Sequence, residues 1–168
     1  MNKIVLSIGS NIDKEINIPR SLTLLKSYYP KVYTSSIYET YKVNPDSSVN
    51  NDKNFWNLIA IIESGKTYSI IYKEIKEIEK NLGREKNKED KYYDRSIDID
   101  IILFNQDIIY LNDEIKVPHQ ELGNCFYVDI PLLELDPSTV HPLKNKTIEE
   151  IVDKKYLDKC YKFIKKIN

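Results

Sequence analysis

The chain has 168 residues, with 25 Lys+Arg against 26 Asp+Glu and a formal net charge of -1. That length suits one domain spanning 1–168 with room for a real core, and the charge balance excludes a nucleic-acid binder working through a broad basic face. No run approaches the ~18 apolar residues of a membrane span, and the pair Cys125 and Cys160 makes neither a disulfide framework nor a zinc set, so a reducing cytoplasm is the expected compartment.

Residues 3–8, KIVLSI, read as a strand that stops at Gly9-Ser10-Asn11. From 16 to 28, Ile16, Leu22, Leu25 and Tyr29 recur at near-helical spacing, with Pro19 acceptable in a first turn. KVYTSSIYETY, 31–41, is β-branched and aromatic and reads as one strand. The polar stretch 42–53 reads as a long, mobile loop, and FWNLIAIIES, 55–64, as a more buried strand. Residues 68–82 set Ile71, Ile75, Ile78 and Leu82 on one helical stripe, with Gly83 as the C-cap. The stretch 84–96 has no apolar period. DIDIILF, 98–104, is a strand, and 108–117 a hairpin around Asn112-Asp113. An apolar helix near 126–135 is interrupted by Pro131, and the tail (138–168) is helical, with one or two amphipathic helices from 147. The order β-α-β-β-α-β suggests an antiparallel α+β sheet of ferredoxin-like type, with helices packed on one face.

Asp98-Ile99-Asp100 is the sharpest local feature. Alternation puts both carboxylates on one face of the strand while Ile97, Ile99 and Ile101 enter the core. Two like charges on a half-buried strand repel unless a cation sits between them, and hard oxygens at this spacing suit magnesium, which borrows further ligands from water and phosphate. The plain alternative is a solvated face carrying two surface acids. Only three of the 25 basic residues are arginines, and two of them, Arg84 and Arg95, bracket a flexible-looking loop with Lys86, Lys88 and Lys91 just upstream of the acids. Arginine grips phosphate with a planar fork where lysine offers a point charge. A metal site beside a mobile cationic loop is what phosphoryl transfer asks for. Arg20 reads as a surface residue. Gly65-Lys66-Thr67 ends like a Walker A motif, but Ala60 stands where its first glycine belongs, so a P-loop is rejected. His119, after Val117-Pro118, could face the acids. Asn57, within an apolar strand, is either a local backbone partner or a reader of an amide-like ligand edge, and Phe55 on the same face could stack on a flat ring.

These residues fall in an order that resembles 6-hydroxymethyl-7,8-dihydropterin pyrophosphokinase, a folate-biosynthesis family. GREKNKEDKYYDRSIDIDIILF resembles its GRxR…RWGPRxLDLDIxLF signature. IGSN (8–11), YET (38–40), FWN (55–57), IEKNLGR (78–84), VPH (117–119) and PLLE (131–134) follow the family's order over about 4–137. The resemblance implies a ferredoxin-like fold and transfer of the β,γ-diphosphate of ATP to the pterin's hydroxymethyl oxygen, releasing AMP. It implies that Asp98 and Asp100 hold two magnesium ions, one of which also binds the attacking hydroxyl, and that Arg84 and Arg95 hold phosphates as the loop closes. Glu79, Ile101, Lys116 and His119 would line the ATP site. Thr40, Phe55, Asn57, Tyr92 and Tyr127 would form the pterin site. Tyr92 stands for the family's loop tryptophan, Tyr127 for a stacking phenylalanine (with Phe126 adjacent), Cys125 for an arginine and Lys86 for the second arginine of GRxR. A monomeric, monofunctional enzyme is expected, with no nucleic-acid or membrane partner. A metal-dependent phosphohydrolase built on the same acids, with His119 as base, is the nearest alternative. A ferredoxin-like RNA-binding module would show an aromatic K/R-G-F-type strand, and no such string occurs.

Overall fold

The computed structural model describes residues 1–43, 49–84 and 94–167, with side chains described outside 42–43 and 49–53. The elements are β1 (Asn2–Ser10), α1 (Lys14–Tyr28), β2 (Val32–Thr34), β3 (Ile37–Val43), β4 (Val49–Ser64), α2 (Tyr68–Asn81), β5 (Asp98–Phe104), β6 (Ile109–Leu111) and β7 (Glu114–Val117). They continue with α3 (Phe126–Leu135), β8 (Val140–His141), β9 (Lys146–Thr147), α4 (Ile148–Ile151), α5 (Lys154–Cys160), a 3-10 turn (Tyr161–Phe163) and β10 (Ile164–Ile167). The main sheet is antiparallel in the order β10-β3-β4-β1-β5, with β2 also paired to β4. Helices pack on it, and the fold is ferredoxin-like α+β.

Strand alternation divides the interior in two. Ile4, Leu6 and Ile8 of β1, Leu58, Ala60 and Ile62 of β4, and Ile99 and Ile101 of β5 meet Ile18 and Leu25 of α1 and Ile71, Ile75 and Ile78 of α2. On the other face Val5, Ile59, Ile61, Ile102 and Leu103 meet Val128 and Leu132 of α3, Ile148 and Val152. The expectation of helices on one face is therefore corrected to helices on both. A register shift between Val5 and Leu6 inserts Ile102 as an extra residue in β5. That bulge lets Ile102 and Leu103 enter the same core and returns Phe104 to the first.

Further differences have local causes. The expected single strand 31–41 is two, parted at Ser35-Ser36, where Ser35 Oγ accepts the Ile59 N–H at 3.0 Å in place of a ladder carbonyl. The expected loop 42–53 is largely strand, because β3 and β4 pair through Val43 and Val49, and only 44–48 lie outside the described residues. Pro19 lies in the interior of α1 rather than its first turn, and Ile16 is exposed, so that the buried stripe is Ile18, Ser21 and Leu25. α3 runs unbroken through Pro131, with Val128, Ile130 and Leu132 buried around it; packing outweighs one missing N–H there. The C-terminal tail is not wholly helical. β10 extends the sheet beside β3, and 140–147 forms a small hairpin. Ile164 and Ile167 mimic an i,i+3 helical pair, which conceals a four-residue strand. The helix 68–82, its Gly83 cap at φ 77°, and the β6–β7 hairpin with Asn112 and Asp113 both at positive φ follow the sequence reading. Arg20 is exposed on α1.

Candidate active site

The second face of the sheet changes character along its length. Ile59 and Ile61 of β4 give way to Asn57, Val5 of β1 gives way to Ser7 and Gly9, and Ile102 of β5 gives way to Asp100 and Asp98. Gly9 pairs with Asp98 on one side and with Asn57 on the other, so the three positions form a row across β5, β1 and β4. At a strand spacing of ~4.8 Å, its ends stand about 10 Å apart. On β3 the register partner of Asn57 is Tyr38; Thr40, opposite Phe55, lies two residues further on, and Thr40 Oγ1 accepts the Asn57 side-chain N–H at 2.7 Å. A Cβ placed on Gly9 would lie 2.8 Å from Asn57 Oδ1, so a larger residue there would push the amide from its place. Thr40 and Asn57 are buried, and Phe55 is half-buried.

At the β5 end the acids meet the arginines singled out in the sequence. Asp98 Oδ1 lies 2.5 Å from Arg84 Nη1, and Asp98 Oδ2 is ion-paired with Arg95 Nη1. Gly83 ends α2 in such a way that Arg84 N–H still bonds the Glu79 carbonyl at 3.1 Å, which aims its side chain back along the helix. Glu79 is only 2 % exposed. Its Oε1 accepts the Ile99 backbone N–H at 2.8 Å and pairs with Arg84 Nη1, and its Oε2 lies 2.9 Å from Lys76 Nζ. Glu79 is thus a strut between α2, β5 and Arg84.

Despite its short contact with Arg84, the buried Asp98 Oδ1 receives no hydrogen bond of acceptable geometry among the described residues. A buried carboxylate oxygen with bonding capacity left can take a cation as a further partner. Among the described residues no three His, Cys, Asp or Glu side chains converge as an all-protein metal cage. Two carboxylates on one strand face match a hard ion that completes its shell with water and substrate oxygens.

His119 follows the cis Val117-Pro118 bond and docks its own N–H on the Ile102 carbonyl at 2.9 Å, beside the β5 edge. Its Nδ1 accepts the Glu121 N–H at 3.4 Å. Tyr127 donates to Glu121 Oε1 at 2.7 Å, and its phenol is pushed up by burial, then by hydrogen bonding with Cys125 and Glu121. Phe126 packs instead against Phe163, with ring centroids 6.2 Å apart, next to Ile164, the register partner of Thr40. Ile101 sends its side chain into the α1–α2 core, away from the Asp98 face. Lys116 pairs with Glu114 at 2.6 Å on the hairpin surface. Tyr92 and the loop lysines lie outside the described residues. The structure therefore gathers Arg84, Arg95, Asp98, Glu79, Asn57, Thr40 and Phe55, brings His119 to the edge of β5, and sets Ile101 and Lys116 apart. It also adds Gly9 and Lys76, which composition and spacing did not single out; the IGSN string held the signal for Gly9.

Comparison with known proteins matches residues 5–137 to the model of the 7,8-dihydro-6-hydroxymethylpterin-pyrophosphokinase (HPPK) family. The chain is 29 % identical over 151 residues to the 2-amino-4-hydroxy-6-hydroxymethyldihydropteridine pyrophosphokinase of Aquifex aeolicus, covering 89 % of this chain and 90 % of that protein. The enzyme of the same name from Helicobacter pylori is 31 % identical over 134 residues, 78 % of this chain and 79 % of its own length. Among solved structures, a Plasmodium falciparum HPPK-DHPS variant (A437G with SDX-DHP) superposes with a TM-score of 0.74 at 18 % identity. That match covers 99 % of this chain, which spans only 46 % of the Plasmodium chain, and it shows the likeness of fold.

Proposed function

The chain belongs to the 7,8-dihydro-6-hydroxymethylpterin-pyrophosphokinase family, and from that premise we propose how its residues carry out the family's reaction. It is a pyrophosphokinase of folate biosynthesis. It transfers the diphosphate of ATP to the hydroxymethyl oxygen of 6-hydroxymethyl-7,8-dihydropterin. That oxygen attacks the β-phosphorus, the bridge to the α-phosphate breaks at the β-phosphorus, AMP leaves with the bonding electrons, and the hydroxyl proton is released. The observation that carries the reading is the row Asp98, Gly9 and Asn57, paired in register across three strands. An anionic, cation-ready end and an amide-reading end lie about 10 Å apart, the scale on which a fused ring and its reacting hydroxymethyl group can bridge them.

Asp98 and Asp100 would hold magnesium, two ions in the family's pattern, which when bound screens the phosphates and acidifies a coordinated hydroxyl. Arg84 and Arg95 now cap the Asp98 carboxylate. With ATP present their forks turn to phosphate oxygens, where charge grows in the transition state. Glu79 keeps Arg84 within reach of that task, and Lys76 balances Glu79. His119 and Lys116 approach the nucleotide from the hairpin side, and the Ile101 backbone meets the adenine at the β5 edge. Asn57 reads the pterin's amide edge with Thr40 fixing its rotamer, while Phe55, Tyr127 and Tyr92 enclose the ring. The enzyme acts as a monomer in the cytoplasm; among the described residues no helix is long and apolar enough to cross a membrane.

Incubation with ATP, magnesium and the reduced pterin tests this by product analysis. AMP is expected in equal amount to pterin diphosphate, and only when the pterin is present. ADP, free phosphate, or AMP without pterin would point to the phosphohydrolase reading instead.

A further inference from the structure

The ladder between β1 and β5 ends at Gly9 and Asp98. Beyond it the two chains remain joined by a bracket that no strand provides. Asn11 Oδ1 accepts the Arg95 N–H at 2.6 Å, while the Arg95 carbonyl accepts from the Asn11 N–H at 3.1 Å and the Ile12 N–H at 3.3 Å. Asn11 Nδ2 donates to Asp94 Oδ1 at 2.8 Å, and Ser10 Oγ donates to the Ser96 carbonyl at 2.6 Å. The turn that presents Asn11 is itself fixed, since the Ile12 carbonyl accepts from Asn17 Nδ2 at 2.8 Å. One side-chain amide thus satisfies two consecutive residues, Asp94 and Arg95, on the C-terminal side of segment 85–93.

Arg95 is three residues from Asp98, and its guanidinium reaches Asp98 Oδ2 from that anchored backbone. A long side chain delivers its charge to a point only if its Cα is held. We infer that Asn11 is a positioning residue for Arg95. Through its reciprocal bracket it sets where the guanidinium stands relative to Asp98 and to the phosphates that replace it. The consequence for turnover rests on the pyrophosphokinase reading; the bracket itself does not.

Three variants test it: N11D, D94N and the double N11D/D94N. In N11D one oxygen can still accept the Arg95 N–H, but the new carboxylate faces that of Asp94. In D94N an amide oxygen still accepts from Asn11. In the double variant the amide and the carboxylate exchange sides and the bracket closes again. Two quantities are read in each folded protein, the hydrogen-exchange rate of the Arg95 amide without ligands and the split of kcat and KM. N11D is expected to exchange Arg95 at least about tenfold faster and to lose roughly ten- to a hundredfold in kcat with KM for the pterin little changed. D94N stays near the parent, and the double variant recovers most of both losses, which a general loss of stability would not produce. The inference is overturned if N11D matches the parent in Arg95 exchange, or if the double variant is no better than N11D. If the parent chain releases no AMP at all, it is the functional reading that fails, and Arg95 exchange still decides whether the bracket exists.

Discussion

The two faces of the central sheet differ in where their apolar character stops. Toward α1 and α2, the strands stay apolar over successive inward positions: Ile4, Leu6 and Ile8, then Leu58, Ala60 and Ile62, then Ile97, Ile99 and Ile101, with the buried serines Ser10 and Ser64 at strand ends. Toward α3, the same three strands turn polar partway, at Ser7 and Gly9, at Asn57, and at Asp100 and Asp98. One face gains free energy from burial throughout, and the other gives up part of that gain for a row of amide and carboxylate groups. The far end of the second face is thus polar at some expense to folding. Changes on the first face should cost stability and leave the chemistry of each folded molecule intact; changes at the polar row should do the reverse.

The largest effect is expected at the row's acidic end. Asp98→Ala should lower kcat about a thousandfold, or ~4 kcal/mol, by removing a cation ligand and the partner of two arginines. A near-normal rate in steady-state assays would break the assignment of that end. On the first face, Ile75→Ala should cost about 3.5 kcal/mol in a urea melt, as a buried branched side chain lost from a packed core, with kcat unchanged per folded molecule. A kcat loss as large as that of Asp98→Ala would mean that the faces are not separable.

Within the α3 layer the contrast reappears in a single carboxyl. Asp129 is fully buried, and it is held by the Gly123 N–H at 2.7 Å and the Tyr156 hydroxyl at 2.8 Å rather than by a guanidinium. Burial outweighs these donors and pushes it up to about 6 from 3.8. Because the folded value is the higher one, the native state binds more protons across that window. The contribution to stability is therefore full below the unfolded value and is lost as pH rises through about 6. Asp129→Asn should remove that slope, which amounts to roughly 3 kcal/mol at its fullest. Denaturant midpoints from pH 4 to 7 would show it, and an unchanged slope would contradict it. Asn57→Ala should be the smallest of the four, raising KM for the pterin about tenfold, ~1.4 kcal/mol, with ATP affinity unchanged; a change confined to ATP would place the pterin elsewhere.

Much of the first face was legible in the sequence, because an amphipathic helix and alternating strands write their periods directly: Ile71, Ile75, Ile78 and Leu82 stand where spacing puts them. So was the acidic end, since Asp98 and Asp100 interrupt an apolar alternation and arginine is scarce in this chain. What spacing could not show was tertiary. Glu79 reads as an ordinary polar position of a helix, and only the fold closes Ile99 and Arg84 around it. Gly9 matters because of an amide on the neighbouring strand, along the row's other arm. Layering on both faces was hidden because the α3 region announces apolarity but no direction, and β10 because four residues carry too little period.

The central claim is that both substrates share the polar row, with phosphates over Asp98 and the pterin over Gly9 and Asn57. Amide shifts in two-dimensional NMR test it most directly, using magnesium with an ATP analogue whose α,β-bridge is methylene and so cannot break, followed by the pterin. The nucleotide should move the amides of 95–101, and the pterin those of Gly9, Thr40 and Asn57, with Ile18, Ile71 and Ile75 unmoved. Shifts centred on α1 and α2, with the row silent, would contradict it.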